Sequence, residues 1–501
     1  LELNMKKALI SVSDKTGIDK LARVLVDSGY EILSTSGTAA FLERAGIGVI
    51  EISDYTGFTQ TQDGRVKTLH TKLYTDILGR PAGIQIVVVN LYPFEQKMKE
   101  SLSLEEMIEF IDIGGVTLLR GAAKNFAYVT VVSSPDQYDE LISEIKTNTE
   151  TSAELRARFA RAAFQRTAIY DAAVTSYLSE SSSVGIASTH WAVGLYANDP
   201  MELKYGENPH QKGTYYRYPL ADLKFKELLG HPISYNNLMD LEAAILTVQE
   251  FERPAAVITK HANPCGVAEQ RQGEDYSETF ARAYNADSLS AWGGVIALNR
   301  PLTEGVVKFL SGKFVEVMAA SHVPEELMPL FTKKRKLRLV QYSGKMPEVT
   351  IRSTLGGVLV QDRDTRIETS EQWKVVTKRT PTDEEKAALL FAWKVAKHTR
   401  SNSVVITGKD VSLGIGGGLP NRVDSARRAL RLAAEQKYEG VRVCASDGLF
   451  PFADSIQELK GSGVTAVIQP GGAMRDQEVI AAADAENLVM VFTGVRHFAH
   501  W

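Results

Sequence analysis

Ala8-Leu9-Ile10-Ser11-Val12-Ser13-Asp14-Lys15-Thr16-Gly17 is the stretch that decides the fold. Its first half, Ala8–Val12, is a short apolar run that reads as a strand. Its second half is turn chemistry. From Ile18 to Ser28 the apolar positions take up helical spacing until Gly29 stops them. The alternation returns with a strand at Glu31–Ser34 and a helix at Ala39–Ala45, closed by Gly46, and a β-branched strand follows at Ile84–Asn90. Strands alternating with helices predict a parallel α/β sheet. Ligands of such sheets sit beyond the carboxyl ends of the strands.

The chain has 501 residues, enough for about three domain-sized units. Lys plus Arg is 57 and Asp plus Glu is 61, a net charge of −4, so nothing draws the whole chain to nucleic acid or an anionic membrane. A hydrophobic fraction of 44% with 24% charged residues excludes a disordered, collagenous or coiled-coil chain. The longest apolar run, near Ile84–Val89, is too short to span a bilayer. Cys265 and Cys444 are too few for a disulfide scaffold or a four-thiolate zinc site. Met5 reads as the natural start. Ala8–Val12 is too short for a signal-peptide core, so a cytoplasmic location is expected.

Thr151-Ser152-Ala153-Glu154 reads as a capping box that opens a helix to about Leu178, and Ser179–Gly185 breaks it. Domains are therefore expected over residues 1–196 and 197–501. The second is again α/β, with a strand at Ala255–Thr259, a loop over Lys260–Gly266, a capping box at Thr382–Glu385 opening a helix to about Lys397, and strands at Ser403–Thr407, Val464–Gln469 and Leu488–Phe492. Val257-Ile258-Thr259-Lys260 and Val405-Ile406-Thr407-Gly408 stand at comparable strand ends and hint at two duplicated lobes.

Several stretches carry chemistry. Ser11–Gly17 and Ser34-Thr35-Ser36-Gly37-Thr38 each join a strand to a helix. Hydroxyls and free first-turn N–H groups there suit a phosphate, or serve only as caps. Arg65 and Lys67 would share one face of a strand and suit an anion, or form a solvated basic edge. Tyr92, Asp112 and Lys124 at one rim would polarise a carbonyl and move protons, unless they are turn residues. Lys260-His261 is the sharpest pair, because a histidine beside a cation is a base near neutral pH; a structural histidine is the alternative. Cys265 has no activating context beyond His261. Lys204–Gln211 reads as a ligand-facing loop or a surface turn. Gly414-Ile415-Gly416-Gly417-Gly418 departs from the dinucleotide fingerprint, whose third glycine position is Leu419 here. His497 and His500 have no third metal ligand nearby.

In order along the chain stand Ser11–Gly17, Arg65-Val66-Lys67-Thr68-Leu69-His70, Asn90-Leu91-Tyr92-Pro93-Phe94, Asp112–Arg120, Tyr205–Gln211, Lys260–Gly266, Ser401-Asn402-Ser403 and Arg496-His497-Phe498. With these motifs, nearly the whole chain resembles the AICAR transformylase / IMP cyclohydrolase family of bifunctional purine-biosynthesis enzymes. The resemblance implies an α/β fold: an N-terminal methylglyoxal-synthase-like parallel-sheet domain and a C-terminal transformylase domain of two cytidine-deaminase-like lobes without zinc ligands. It implies formyl transfer from 10-formyltetrahydrofolate to AICAR, giving FAICAR, and then dehydrative closure of FAICAR to IMP. It implies a homodimer with small-molecule substrates, no nucleic acid, no membrane and no metal.

By match to the family motifs, His261 accepts the proton, Lys260 places a cation near the oxyanion, and Asn402 orients His261 or the formyl oxygen. Lys204, Tyr205, His210, Gly293, Gly294, Arg496 and Phe498 bind AICAR or folate, with Asp447 and Phe450 in the pocket. Lys67, Tyr92, Asp112 and Lys124 serve the cyclohydrolase. Its nucleotide is held by Ser11, Ser13, Lys15, Thr16, Ser36, Gly37, Thr38, Arg65, Thr68, Asn90 and Gly114. The chain departs from the family pattern in several places, Ala319-Ala320-Ser321-His322 in place of Ala-Pro-Gly among them. Lys204 replaces an arginine and loses its planar fork. Thr71-Lys72-Leu73-Tyr74-Thr75-Asp76 replaces a Gly-rich segment, and a loop before Asn90 is shortened. Trp292 replaces a phenylalanine. An enzyme that has lost the cyclohydrolase step, or a nucleotide-binding regulator without turnover, are the alternatives.

Overall fold

The computed structural model describes residues 5–58, 68–148, 150–181, 198–217, 222–331 and 336–500. The chain divides into two compact units, Leu1–Asn198 with Tyr218–Leu220, and Asp199–Arg217 with Ala221–Trp501. The boundary expected at 196/197 lies outside the described residues.

The first unit is built on five parallel strands: β1 (Lys6–Val12), β2 (Tyr30–Ser34), β3 (Ile50–Glu51), β4 (Ile86–Asn90) and β5 (Thr130–Val132), in the order β3-β2-β1-β4-β5. Side chains alternate between two apolar layers. Leu9, Leu33, Val87 and Val131 pack with residues of the helices Thr71–Leu78 and Gly114–Lys124. Ala8, Ile10, Ile32, Val88 and Val132 pack with residues of Ile18–Asp27 and Tyr138–Thr147. Burial on both faces explains why these strands are continuous apolar runs rather than alternating ones. The strand order reverses between β1 and β4, which opens a crevice at their carboxyl ends.

Two helix starts differ from expectation. The second helix begins at Ser36, not Ala39: Thr35 is extended, and its carbonyl accepts the N–H groups of both Thr38 and Ala39. Ser36-Gly37-Thr38 are weak helix formers, and that hid the first turn. The long helix, Ala153–Ser181, is capped by Ser152, whose Oγ accepts the Leu155 N–H at 3.3 Å. Thr151 instead exchanges a hydroxyl bond with Thr130 at 2.6 Å. The altered segment after His70 is the helix Thr71–Leu78, anchored by Leu73, Ile77 and a 2.5 Å bond from Tyr55 Oη to Asp76.

In the second unit, a ribbon of β6 (Asn198–Glu202) and β7 (Thr214–Arg217) precedes the first lobe. That lobe holds β8 (Lys224–Leu229), β9 (Ala255–Lys260), β10 (Asn263–Glu269), β11 (Val295–Leu298), β12 (Val317–Ala320) and β13 (Arg338–Ser343), in the order β10-β9-β11-β12-β13-β8. A two-stranded hairpin, β14 (Val349–Thr354) and β15 (Gly357–Asp362), follows. The second lobe holds β16 (Lys374–Val375), β17 (Val404–Thr407), β18 (Ser412–Gly416), β19 (Arg442–Ser446), β20 (Val464–Gln469) and β21 (Val489–Phe492). Its order, β18-β17-β19-β20-β21-β16, repeats the first lobe strand for strand, with the same parallel and antiparallel neighbours.

The faint repeat around Val257 and Val405 is thus the visible trace of a duplicated lobe. Two 15-residue helices, Tyr235–Gln249 and Asp383–Lys397, also correspond, and each opens with a capping box, Ser234 with Asn237 and Thr382 with Glu385. Equivalent glycines do the same work in both lobes. A Cβ on Gly266 would stand 1.9 Å from the Ala283 carbonyl oxygen, and one on Gly414 would stand 1.9 Å from that of Ala429. Only glycine lets these helices lie so close on their strands.

One expectation is corrected here. Lys260–Gly266 is not one loop, since β10 begins at Asn263, and Gly414-Ile415-Gly416 is the end of strand β18. Pro264 and the glycines disguised them, yet proline is tolerated at a sheet edge, where β10 lies. The lobes meet along β10 and β18, where the Val267 N–H donates to Ser412 Oγ at 2.9 Å. Beside this seam Arg271 and Arg282 both bond the Asp410 carboxylate, each at 2.8 Å.

Candidate active sites

In the first unit, the loops after β1, β2 and β4 converge at one rim. Asn90 ends β4 and ties the β1 loop in place: its Oδ1 accepts the N–H groups of Ser13 (2.5 Å) and Asp14 (2.8 Å), and its Nδ2 donates to Asp14 O. Its amide therefore holds the loop instead of facing a ligand. Thr38 is buried and exchanges bonds with Val12 N and O, and Lys15 Nζ reaches Thr38 Oγ1 at 3.2 Å and the Val12 carbonyl. Burial pushes the Lys15 ammonium below its ordinary pKa. Ser11 Oγ and Thr35 Oγ1 are 3.1 Å apart, and Thr16 donates both N–H and hydroxyl to Asp14. The N-cap residue Thr35 makes no side-chain cap bond to the helix that begins at Ser36. Ser11, Ser13, Lys15, Thr16, Ser36, Gly37 and Thr38 are thus brought together around a positive dipole end.

Asp112 enters the same rim from the start of the helix Gly114–Lys124. Its Oδ1 accepts the Gly115 N–H at 2.7 Å, and its own N–H donates to Tyr170 Oη. Burial raises its carboxyl pKa, and the Tyr92 backbone N–H also faces it. Burial and the nearby Asp112 charge raise the Tyr92 phenol in turn. Thr68 lies against Gly114, where a Cβ would meet its Oγ1 at 2.5 Å.

Lys124 is not at this rim. An 11-residue helix, about 15 Å long, carries it to the far end, and Lys124 is exposed there. The four residues between Lys124 and Val129 then lead into the start of β5, where Thr130 pairs with Ile86 at the amino end of β4, the end away from this rim. Arg65 and Lys67 lie outside the described residues.

In the second unit, β9 and β10 are joined by a two-residue turn, His261-Ala262, with φ of 55° and 56°. His261 is exposed at its tip. Asp240 Oδ1 accepts the Ala262 N–H at 2.6 Å. Lys260 Nζ donates to Trp292 O at 2.6 Å and lies near Gly293, while Gly294 packs on Ile258 and the Ala291 and Thr259 carbonyls. A cleft of about 250 Å³ opens here between the lobes, lined by Lys260, His261, Asn263 and Asp287 on one side and by Gly417, Leu419 and Arg428 on the other. Asn263 spans the seam, its Oδ1 accepting the Arg400 N–H at 2.9 Å. Lys204, Tyr205 and His210 stand on the loop between β6 and β7. Asn236, on the turn of helix before Asp240, bonds that loop at Glu207 O.

Other expectations change. Asn402 does not bond His261. Its Nδ2 donates to Leu419 O and Pro420 O, and its Oδ1 accepts from Arg422, so it shapes the cleft wall from behind. Asp447 is wholly buried, taking bonds from Arg422 Nη1 (2.5 Å), the Ser403 N–H (3.0 Å) and Ser401 Oγ. It is a buried ion-pair partner, not a pocket residue. Phe450 is likewise in the core, while Phe452 is exposed. Cys265 is half-buried in the cleft wall, its Sγ donates to Ile258 O, and desolvation raises its thiol pKa, which disfavours the thiolate. His497 is buried between Asp364 and Glu368, whereas Arg496 and Phe498 are exposed and stacked, 4.6 Å from cation to ring. Among the described residues no group of three or more His, Cys, Asp or Glu is arranged as a metal site.

Sequence reasoning missed Asp240, which carries no motif, and the left-handed turn itself, since neither His nor Ala signals one.

A crevice rich in hydroxyls and a lysine in one unit, and a histidine–lysine turn over a cleft in the other, are the marks of a two-site enzyme of small molecules. Comparison with known proteins agrees. The family description "AICARFT/IMPCHase bienzyme" matches residues 122–432, and "MGS-like domain" matches residues 17–117. The bifunctional purine biosynthesis protein PurH of Rippkaea orientalis is 43% identical over 517 residues, covering 98% of this chain and 99% of that protein. PurH of Aquifex aeolicus is 44% identical over 513 residues, covering 99% and 100%. A solved structure described as "Crystal structure of ForH" is 34% identical, covers 34% of this chain and 97% of that one, and has a TM-score of 0.31. The chain belongs to the AICARFT/IMPCHase bienzyme family, the bifunctional AICAR transformylase / IMP cyclohydrolases of de novo purine biosynthesis. No helix among the described residues is long and apolar enough to cross a membrane.

Proposed function

We propose that the second unit, from about residue 197 on, moves the formyl group of 10-formyltetrahydrofolate to AICAR, and that the first unit closes FAICAR to IMP. The observation that carries the reading is His261, exposed at the tip of a fixed turn beside Lys260 and over the cleft between the lobes.

The 5-amino group of AICAR is conjugated with its ring and carboxamide, so it needs a base as it attacks. His261 takes the amine proton as the new C–N bond forms to the formyl carbon. Lys260 supplies positive charge to the tetrahedral oxyanion. The carbon–nitrogen bond to the folate then breaks, and a proton passes to that nitrogen. Lys204, Tyr205, His210, Arg496 and Phe498 bind the nucleotide or folate, with Arg496 suited to its phosphate. Asn402 supports the wall at Leu419.

In the first unit, the Ser11–Gly17 and Ser34–Thr38 loops bind the FAICAR phosphate. Asp112, with its raised pKa, takes a proton from the carboxamide nitrogen as that nitrogen attacks the formyl carbon. Tyr92 donates to the carbonyl oxygen, which takes its second proton from Asp112 and leaves as water while the formamide N–H returns a proton to Tyr92 and the ring C=N bond forms. By the family match Arg65 and Lys67 serve this reaction, and Lys124 is left out of it. Neither step as written calls for a metal. A homodimer and a cytoplasmic location belong to the same reading, with AICAR, FAICAR and the folate as its small-molecule partners.

A paired assay tests it. One arm supplies AICAR with 10-formyltetrahydrofolate, and the other supplies FAICAR alone. IMP should form in both, and His261→Ala should lose only the first. FAICAR accumulating in the first arm with no IMP in the second would refute the cyclohydrolase half, and silence in both would refute the whole.

A further inference from the structure

We propose that Asp240 is the positioning residue that holds His261 in its reactive place, by gripping the backbone of the His261-Ala262 turn. The inference rests on the reading of His261 as the proton acceptor.

A two-residue hairpin turn with both residues left-handed normally recruits glycine or asparagine, because a Cβ opposes positive φ. Here the two residues are His261 and Ala262, at φ 55° and 56°. Something outside the turn must hold them. Consecutive backbone N–H groups in such a turn converge and form a seat for an anion. Asp240 fills that seat: Ala262 N–H donates to its Oδ1 at 2.6 Å, and the His261 N–H faces the same carboxylate. The helix that carries the carboxylate is anchored at its start. Asp240 lies near the start of the helix Tyr235–Gln249, whose capping box fixes Asn237, and Asn237 Nδ2 donates to Glu316 at 2.7 Å.

The duplicated lobe gives an independent comparison. Counting from the matched capping boxes, Ala388 of the helix Asp383–Lys397 stands where Asp240 does. The matching turn there is Lys409-Asp410, between β17 and β18, and neither residue has positive φ. The lobe without the carboxylate has the ordinary turn, and the lobe with it has the left-handed one.

Asp240→Ala in the full-length protein should lower kcat for AICAR formylation about 100-fold, the cost of a catalytic group misplaced by about 1 Å. The KM for AICAR should move by less than about threefold, because the binding residues stay where they are. Adding Ala262→Gly to Asp240→Ala should restore about tenfold of the rate, since glycine takes positive φ freely. Asp240→Asn keeps one acceptor oxygen and should fall only about tenfold by the same geometric argument. If Asp240→Ala melts in circular dichroism below the assay temperature, the pair Asp240→Asn and Asp240→Asn with Ala262→Gly decides by the same comparison. An Asp240→Ala rate near wild type, or a loss that glycine at 262 does not relieve, overturns the proposal. A slow His261→Ala beside a normal Asp240→Ala sinks the positioning role alone. A normal His261→Ala sinks the reading of His261 and the proposal with it.

Discussion

Gly266→Ala is the sharpest test of how the second unit is packed. Replacing a strand glycine with alanine normally stabilises by about 0.5–1 kcal/mol, because the unfolded chain loses freedom. Here the added Cβ would stand 1.9 Å from the Ala283 carbonyl oxygen and 3.0 Å from its carbon. Carbon and oxygen in contact need about 3.3 Å, so the helix Tyr276–Asn285 must retreat by about 1.4 Å. Both clashing partners are backbone atoms and cannot rotate away. The retreating helix carries Tyr276, Phe280, Ala283 and Tyr284 in the core. A gap of about 1 Å forfeits up to about half of each contact. The loss therefore outweighs the intrinsic gain, and a net destabilisation of about 3 kcal/mol is expected. For a unit of this size that lowers its melting temperature by about 6 °C in differential scanning calorimetry. Because β10 starts at Asn263, beside the His261 turn, formyl transfer should also slow while FAICAR closure keeps its rate. A melting temperature at or above wild type would refute the packing argument.

Asp447→Ala leaves the buried Arg422 charge without its partner, and urea unfolding should show a loss of about 3–5 kcal/mol; an unchanged midpoint would return Asp447 to the pocket. Asp112 is held above the ordinary carboxylate pKa by burial, so its protonated form favours the folded state. That stability is full below the unfolded value and is lost as pH rises through the folded one. Relative to Asp112→Asn, the wild type should gain melting temperature between pH 7 and pH 4, and a gap that does not change with pH refutes the assignment. Burial pushes the Cys444 thiol up to about 12 and raises Cys265 as well. Cys444, wholly buried, should not react with Ellman's reagent at pH 8 until the protein unfolds, and half-buried Cys265 should react more slowly than a free thiol; labelling of Cys265 at the free-thiol rate would reopen a nucleophile there.

Much of this was legible where local chemistry and tertiary structure agree. Ala8–Val12, Val464–Gln469 and the Thr382 capping box announce themselves through apolar runs and a cap that the fold then uses. The failures share a physical cause. β10 and β18 are written in Pro and Gly because a helix lies directly on them, which no local pattern reveals. Asp447 and Phe450 belong to a motif, but their burial depends on Arg422 and on the core around them. Lys124 is twelve residues from Asp112, and a straight helix turns that spacing into separation. Asp240 was invisible because its partner is a backbone N–H twenty-two residues away.

The repeated lobes give the chain two copies of one hairpin, and the copies have had opposite fates. The first presents His261 to solvent. In the second, Asp410 is clasped by Arg271 and Arg282 from the neighbouring lobe, and the turn has become a rivet that fastens the halves together. Internal symmetry offers two places for a reactive turn, but one is spent on cohesion. On the proposed reading of His261, each chain therefore offers one such turn to AICAR and not two.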